Sequence, residues 1–402
     1  MVTRAAPPFA DDEPFALLGT ILETRAGADP DTPGAVIVEA GRIADVVANP
    51  DANALPRRRL HAAYVAPGYV DLQVNGGFGY EVDDDPAALL ALARRLPATG
   101  VTAFLPTLVS RDPARYARCF AAFDAARAAG DPDGARLLGL HLEGPLLAPE
   151  RAGAHARAAI EGATAALLEQ LADPSRVALV TLAPERPDAL PLIARLRGRG
   201  VAVSLGHTDA SFELFTAGVD AGASLATHVW NAMSPLHHRA PGATGAALND
   251  DRVTAMAIAD GVHTHPAAFA IALRAKGKDR LALVTDAVAA AGVAAGTITA
   301  LAGRPVSADG ASARLGDGTL AGSTLTMDSA VRNARRFAGL SPAEAVHLAT
   351  AVPARALGLC GTGPRLHPGA AADLVLLDQQ LEVQATLVGG RLAFQRPDTA
   401  WE

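Results

Sequence analysis

Leu137-Leu-Gly-Leu-His-Leu142 is an apolar run that stops at Glu143. Three later runs repeat the arrangement. Val201-Ala-Val-Ser-Leu205 leads to His207, Ala223-Ser-Leu-Ala-Thr227 to His228, and Leu281-Ala-Leu-Val-Thr285 to Asp286. Short apolar runs bounded by turn residues read as buried strands. Ala-rich amphipathic stretches are interleaved with them and predict helices over Pro86–Ala98, Pro113–Ala129, Thr164–Ala172, Ala189–Arg199, Ser211–Ala221, Pro266–Ala275, Met327–Ala338 and Ser341–Ala351. Strand–helix alternation implies parallel strands with right-handed crossovers. A doubly wound sheet and a closed barrel both fit it. Polar residues at successive strand ends favour a (β/α)8 barrel, whose site is built at the C-terminal ends of its strands.

Outside this middle region the pattern changes. Ala16–Leu22, Ala35–Glu39 and Arg42–Val47 read as strands, with Ala40-Gly41 turning between the last two. Ala372–Leu377, Val383–Val388 and Arg391–Gln395 read the same way. Two β-rich ends suggest one small sheet domain, residues 1–66 together with 366–402, with the barrel (67–365) inserted between them.

Composition narrows the partners. The 402 residues are 50% hydrophobic and 19% charged, with a formal net charge of -7. No basic block is present, which argues against nucleic acid. No window approaches the ~20 apolar residues of a membrane span, and the N-terminus lacks a signal-peptide pattern, so a cytoplasmic enzyme is expected. Cys119 and Cys360, far apart in sequence, read as small reduced residues rather than a disulfide.

Glu143, His207 and His228 offer one carboxylate and two imidazoles. Zinc takes such ligands and, in catalytic sites, keeps one position open for water. A lone His at a strand end is usually structural; three ligand-type residues at equivalent positions are not. Asp286 follows an apolar run, where a partly desolvated carboxylate suits a general base and acid. Arg239, in a loop with Pro241-Gly242, offers paired donors matched to phosphate. His61, His237, His238, His265, His347 and His367 carry no comparable signal. Ser323 lacks a His partner in sequence, and Gly322 beside it reads as a point of close backbone approach.

Several segments, in order, resemble the N-acetylglucosamine-6-phosphate deacetylase family of the amidohydrolase superfamily. They are Pro67-Gly-Tyr-Val-Asp-Leu-Gln-Val-Asn-Gly76, His141-Leu-Glu-Gly-Pro145, Gly206-His-Thr208, Thr227-His-Val-Trp-Asn-Ala-Met233, Arg239-Ala-Pro-Gly242, Ala259-Asp-Gly-Val-His263, Val284-Thr-Asp-Ala287 and Leu320-Ala-Gly-Ser323. The resemblance implies a (β/α)8 TIM-like barrel with a small β-sandwich made from both termini. It implies hydrolysis of the acetamide of a phosphorylated amino sugar, and a homodimer in which relatives complete the phosphate site from the partner chain. By position, Glu143, His207 and His228 match metal ligands and Asp286 the catalytic acid/base. His155 and His263 match sugar contacts; Asn231, Ala232 and Arg239 match residues around the phosphate.

Many relatives in the superfamily carry His-x-His after the first strand, where this chain has Gln73 and Asn75. Amides are poor substitutes for imidazole at a transition metal. One divalent metal per chain is therefore expected: zinc first, with Fe2+, Co2+ or Mn2+ as alternatives. A different N-acyl or cyclic-amide hydrolase of the superfamily is the competing reading. It is disfavoured because such relatives often use His-x-His and a strand lysine, whereas the only lysines here are Lys276 and Lys278. A non-catalytic scaffold would be expected to have lost ligands, and none is lost.

Overall fold

The computed structural model describes residues 13–22, 33–131, 133–359, 363 and 365–401. Cys360 lies outside them; Cys119 is free and buried. Eight parallel strands, with the two-residue Arg136–Leu137 paired beside the second, form the central sheet: β1 (Tyr69–Val74), β2 (Val101–Val109), β3 (Leu140–Glu143), β4 (Val177–Leu182), β5 (Ala202–Leu205), β6 (Leu225–Ala226), β7 (Thr254–Ala257) and β8 (Leu281–Leu283). Each pairs with the next in chain order. The ends of the sheet meet beyond β8, where Asp286 N donates to Gln73 O at 2.9 Å and Asn75 N to Ala287 O at 2.7 Å. The barrel strands are almost wholly buried, which is why they read as unbroken apolar runs.

The run Leu137–Leu142 is broken at Gly139 (φ 131°), where a Cβ would lie 2.9 Å from that of Ala178. The run Ala223–Thr227 contributes only the two-residue β6. The helix expected over Ser341–Ala351 splits into Pro342–His347 and Ala351–Ala356. The carbonyls between them are used elsewhere: Leu283 N donates to Leu348 O and Val70 N to Ala349 O. This segment fills the seam between β1 and β8 away from the site.

The termini build a seven-stranded sheet ordered Arg391–Gln395, Val383–Val388, Leu374–Leu377, Arg59–Pro67, Phe15–Ile21, Pro33–Glu39, Arg42–Ala48. Its middle strand, Arg59–Pro67, pairs parallel with Phe15–Ile21 and antiparallel with Leu374–Leu377. It joins the N-terminal strands to the C-terminal ones, then continues through Gly68 into β1. The buried Asp373 carboxylate accepts from Arg136 Nη2 and Gly389 N, both at 2.7 Å, and fixes the sheet to the barrel.

Besides Arg59–Pro67, two of the elements not expected from sequence bear on the barrel. One is the helix Gly242–Asn249, buried along nearly its whole length. The other is a three-stranded antiparallel sheet, Ile298–Leu301, Arg304–Ala308 and Ala313–Leu315. Arg304 Nη1 donates to Ala154 O at 2.8 Å, tying this sheet to the rim of the barrel.

Candidate active site

A cleft of about 370 Å³ opens at the C-terminal ends of the barrel strands. Glu143, His155, His207, His228, Asn231, Ala232, His263 and Asp286 all line it. Glu143 ends β3. His207, His228 and Asp286 lie two or three residues beyond β5, β6 and β8, with φ of 46°, 30° and 50°. Non-glycine residues avoid this region, and strain of about 1–3 kcal/mol per residue persists only where the surroundings enforce it. The left-handed turn aims each side chain inward across the strand ends.

Donor atoms of Glu143, His207 and His228 lie within 4.8 Å of one another. His228 Nε2 is 3.0 Å and His207 Nε2 3.2 Å from Glu143 Oε1, and the two nitrogens are 3.2 Å apart. Two imidazole nitrogens converging on one carboxylate oxygen form a two-nitrogen, one-oxygen donor set, which suits a zinc-type cation with an open position. His207 Nδ1 lies 2.7 Å from Arg151 O. A carbonyl only accepts, so Nδ1 donates and Nε2 keeps its lone pair for a cation. His228 Nδ1 is buried and has no hydrogen-bond partner among the described residues. Burial pushes the Glu143 carboxyl up, but the close imidazoles of His155, His207 and His228 outweigh this and hold it well below the usual range.

Gln73 and Asn75 bear on the number of cations. Gln73 Nε2 donates to Glu143 Oε1 (2.9 Å) and Asp286 Oδ1 (3.1 Å), and Asn75 Nδ2 donates to Asp286 Oδ1 (2.7 Å). The amides therefore spend their donors on the two carboxylates. Burial, with the Glu143 charge adding to it, raises Asp286 to about 6. Behind β1, buried Asp71 is raised to about 7 by desolvation, against hydrogen bonds from Thr285 and the Gln73 backbone.

His155 is lowered to about 4, chiefly by burial and then by His207. His263 is fixed by Asp260, which accepts from its backbone N at 2.8 Å and meets its Nδ1 at 2.6 Å. Asn231 Nδ2 donates to His228 O at 3.2 Å.

Arg239 stands apart from the other expected site residues. It is exposed, lies outside the lining of its own cleft, and has its Nη1 2.8 Å from His238 Nε2. Arg151 does line the cleft, paired with Asp209 at 2.6 Å, and was missed because no motif marks it. Of the minor histidines, His265 caps the helix Pro266–Lys276 and His347 meets Asp279 at 2.9 Å. His237 packs against His238, with ring centroids 4.2 Å apart. Ser323 Oγ donates to Thr285 O and accepts from Leu325 N, a structural pattern. Gly322 (φ 65°) lines the cleft where a Cβ would sit 2.8 Å from Asp286 O.

Residues 64–393 match the amidohydrolase family. N-acetylgalactosamine-6-phosphate deacetylase of Escherichia coli O157:H7 is 41% identical over 335 residues, covering 83% of this chain and 88% of the relative. N-acetylglucosamine-6-phosphate deacetylase of Homo sapiens is 40% identical over 354 residues, covering 84% and 85%. Among solved structures, a mutant of the Mycobacterium smegmatis N-acetyl-D-glucosamine-6-phosphate deacetylase, in complex with N-acetyl-D-glucosamine-6-phosphate, superposes with a TM-score of 0.85 at 35% identity, covering 95% of this chain and 100% of that one. Among the described residues, no helix is long and apolar enough to cross a membrane.

Proposed function

The chain belongs to the amidohydrolase family, and from that premise we propose that it hydrolyses the acetamide of N-acetylglucosamine 6-phosphate to glucosamine 6-phosphate and acetate. The observation that carries this is Asp286, raised toward neutrality beside a convergent Glu–His–His donor set in one cleft. The curated relatives act on phosphorylated N-acetyl amino sugars, which supports the substrate class.

Glu143, His207 and His228 would hold one divalent cation, zinc before Fe2+, Co2+ or Mn2+. Such a cation, when bound, supplies Lewis acidity toward the amide carbonyl and makes water more acidic. The chain's own groups do the rest. Asp286 takes the proton of the attacking water, as a base whose pKa is matched to its task. His155 offers a ring N–H to the carbonyl oxygen as that oxygen gains charge. Asp286 then gives the proton to the sugar nitrogen as the C–N bond breaks, leaving acetate and a free amine. Gln73 and Asn75 hold the Asp286 carboxylate in place and occupy the ground where a second cation would need imidazoles.

Asn231, Ala232 and His263 would face the sugar and its phosphate. We read Arg239 as a phosphate contact supplied to the neighbouring chain of a homodimer: it is exposed, beside the exposed Leu236, and outside its own cleft. The terminal β domain (1–66 with 366–402) and the barrel (67–365) are read as two units. A charged sugar phosphate cannot cross an apolar bilayer unaided, which fits a cytoplasmic enzyme.

The test is acetate release from N-acetylglucosamine 6-phosphate, its galactosamine epimer and unphosphorylated N-acetylglucosamine. Highest kcat/KM on the first supports the reading. Preference for the epimer would correct the sugar, and no release from any would reject the function.

A further inference from the structure

Ser110 is the residue after β2, buried beneath the cleft. Its backbone N–H points at His155 Nδ1 at 3.1 Å, and its hydroxyl oxygen lies 2.9 Å from the same nitrogen. A peptide N–H can only donate, so Nδ1 must accept. A neutral imidazole carries one bare nitrogen and one N–H, which leaves the proton on Nε2. That Nε2 faces the site, 3.6 Å from Glu143 Oε2. The opposite tautomer would set two N–H groups against each other in a buried place, leaving the Ser110 N–H without its acceptor.

We propose that Ser110 is a positioning residue that locks His155 in its Nε2–H tautomer, so that the ring presents a donor, not a lone pair, to the cleft. Two features support a dedicated contact. At Gly144, next to Glu143, an added Cβ would lie 2.3 Å from Ser110 Oγ, so any side chain there would push the hydroxyl away. The single Ser110 hydroxyl proton goes either to Nδ1 or to Glu143 O, 3.3 Å away, so the tautomer lock lies against the strand that carries the acid. A bare Nε2 at this position would compete as a further cation ligand; an N–H cannot. The Ser110 backbone therefore helps keep His155 out of the Glu–His–His set while leaving it ready for an oxygen of the substrate. The link to catalysis rests on the deacetylase reading; the tautomer does not.

The experiment is nitrogen-15 NMR of the metal-loaded protein with labelled histidine, His155 being assigned by the signals lost in His155→Asn. The expected result is a pyridine-type Nδ1, a pyrrole-type Nε2, and a coupling from the Ser110 amide nitrogen across the hydrogen bond to Nδ1. A pyrrole-type Nδ1 overturns the proposal. Ser110→Ala keeps the backbone N–H, so the tautomer should persist while kcat falls roughly two- to tenfold, the worth of one neutral hydrogen bond. A switch of tautomer in that variant also overturns it. His155→Gln, whose amide can place an N–H near Nε2, should keep at least ten times the kcat of His155→Asn at similar KM. Equal loss would refute the donor role. A correct tautomer in a protein that releases no acetate would uphold the lock and reject the function.

Discussion

Replacing Asp286 by Asn probes the chemistry with little change of shape. Asp286 Oδ1 accepts from Asn75 Nδ2 at 2.7 Å and from Gln73 Nε2 at 3.1 Å. An asparagine can keep its oxygen in that position and turn its amide nitrogen to the cleft, so the fold and the donor set should survive. What is lost is the group that we propose takes the water's proton and returns it to nitrogen. A positioned acid/base contributes ~10²–10⁴ in rate, or about 3–5 kcal/mol of barrier. The expected result is therefore a kcat lower by at least about a hundredfold, with KM within a few-fold and metal content unchanged. In the wild type, the base must be deprotonated to work. With Asp286 raised to about 6, kcat/KM should rise with pH through an acid limb at or below that value, because a bound cation draws a neighbouring carboxylate pKa down. The assay is acetate release followed from pH 4 to 9. A variant within tenfold of wild type, or an acid limb centred above pH 7, would refute the role of Asp286.

Three further outcomes follow from other parts of the molecule. Arg239→Ala should raise KM for the phosphorylated sugar far more than for N-acetylglucosamine; equal effects in parallel steady-state assays would exclude a phosphate contact. Asp71, raised from 3.8 to about 7, binds its proton more tightly folded than unfolded, so its contribution to stability is greatest below pH 4 and declines as pH rises through 7. Asp71→Asn removes this dependence, so Tm relative to wild type should be higher at pH 8 than at pH 5; the reverse order contradicts the assignment. Gly322→Ala would bring a Cβ to 2.8 Å from Asp286 O at φ 65°. We expect a loss of about 1–3 kcal/mol in urea unfolding and a lower kcat, whereas neutral behaviour would show that the turn adjusts.

The barrel was legible because its strands are buried on both faces and appear as apolar runs, each stopped by a polar residue. The cluster of Glu143, His207, His228 and Asp286 followed from those stops. The left-handed backbone at His207, His228 and Asp286 was not legible, since no Gly or Asn announces it. Arg59–Pro67 escaped notice because the strands that make it central come from both ends of the chain. The helix Gly242–Asn249 has no polar face, so it lacks the 3.6-residue period that marks amphipathic helices. Arg239 was placed by resemblance at the phosphate; the fold sets it exposed and outside the lining of its own cleft.

We propose that one cation on Glu143, His207 and His228, together with Asp286, makes this chain a deacetylase. Its most direct test is to strip the protein with chelator, titrate zinc back, and record acetate release from N-acetylglucosamine 6-phosphate against bound metal. Stripped protein should release no acetate, and release should rise linearly and stop at one equivalent per chain. Full activity without metal, or activity that appears only as a second equivalent binds, would contradict it.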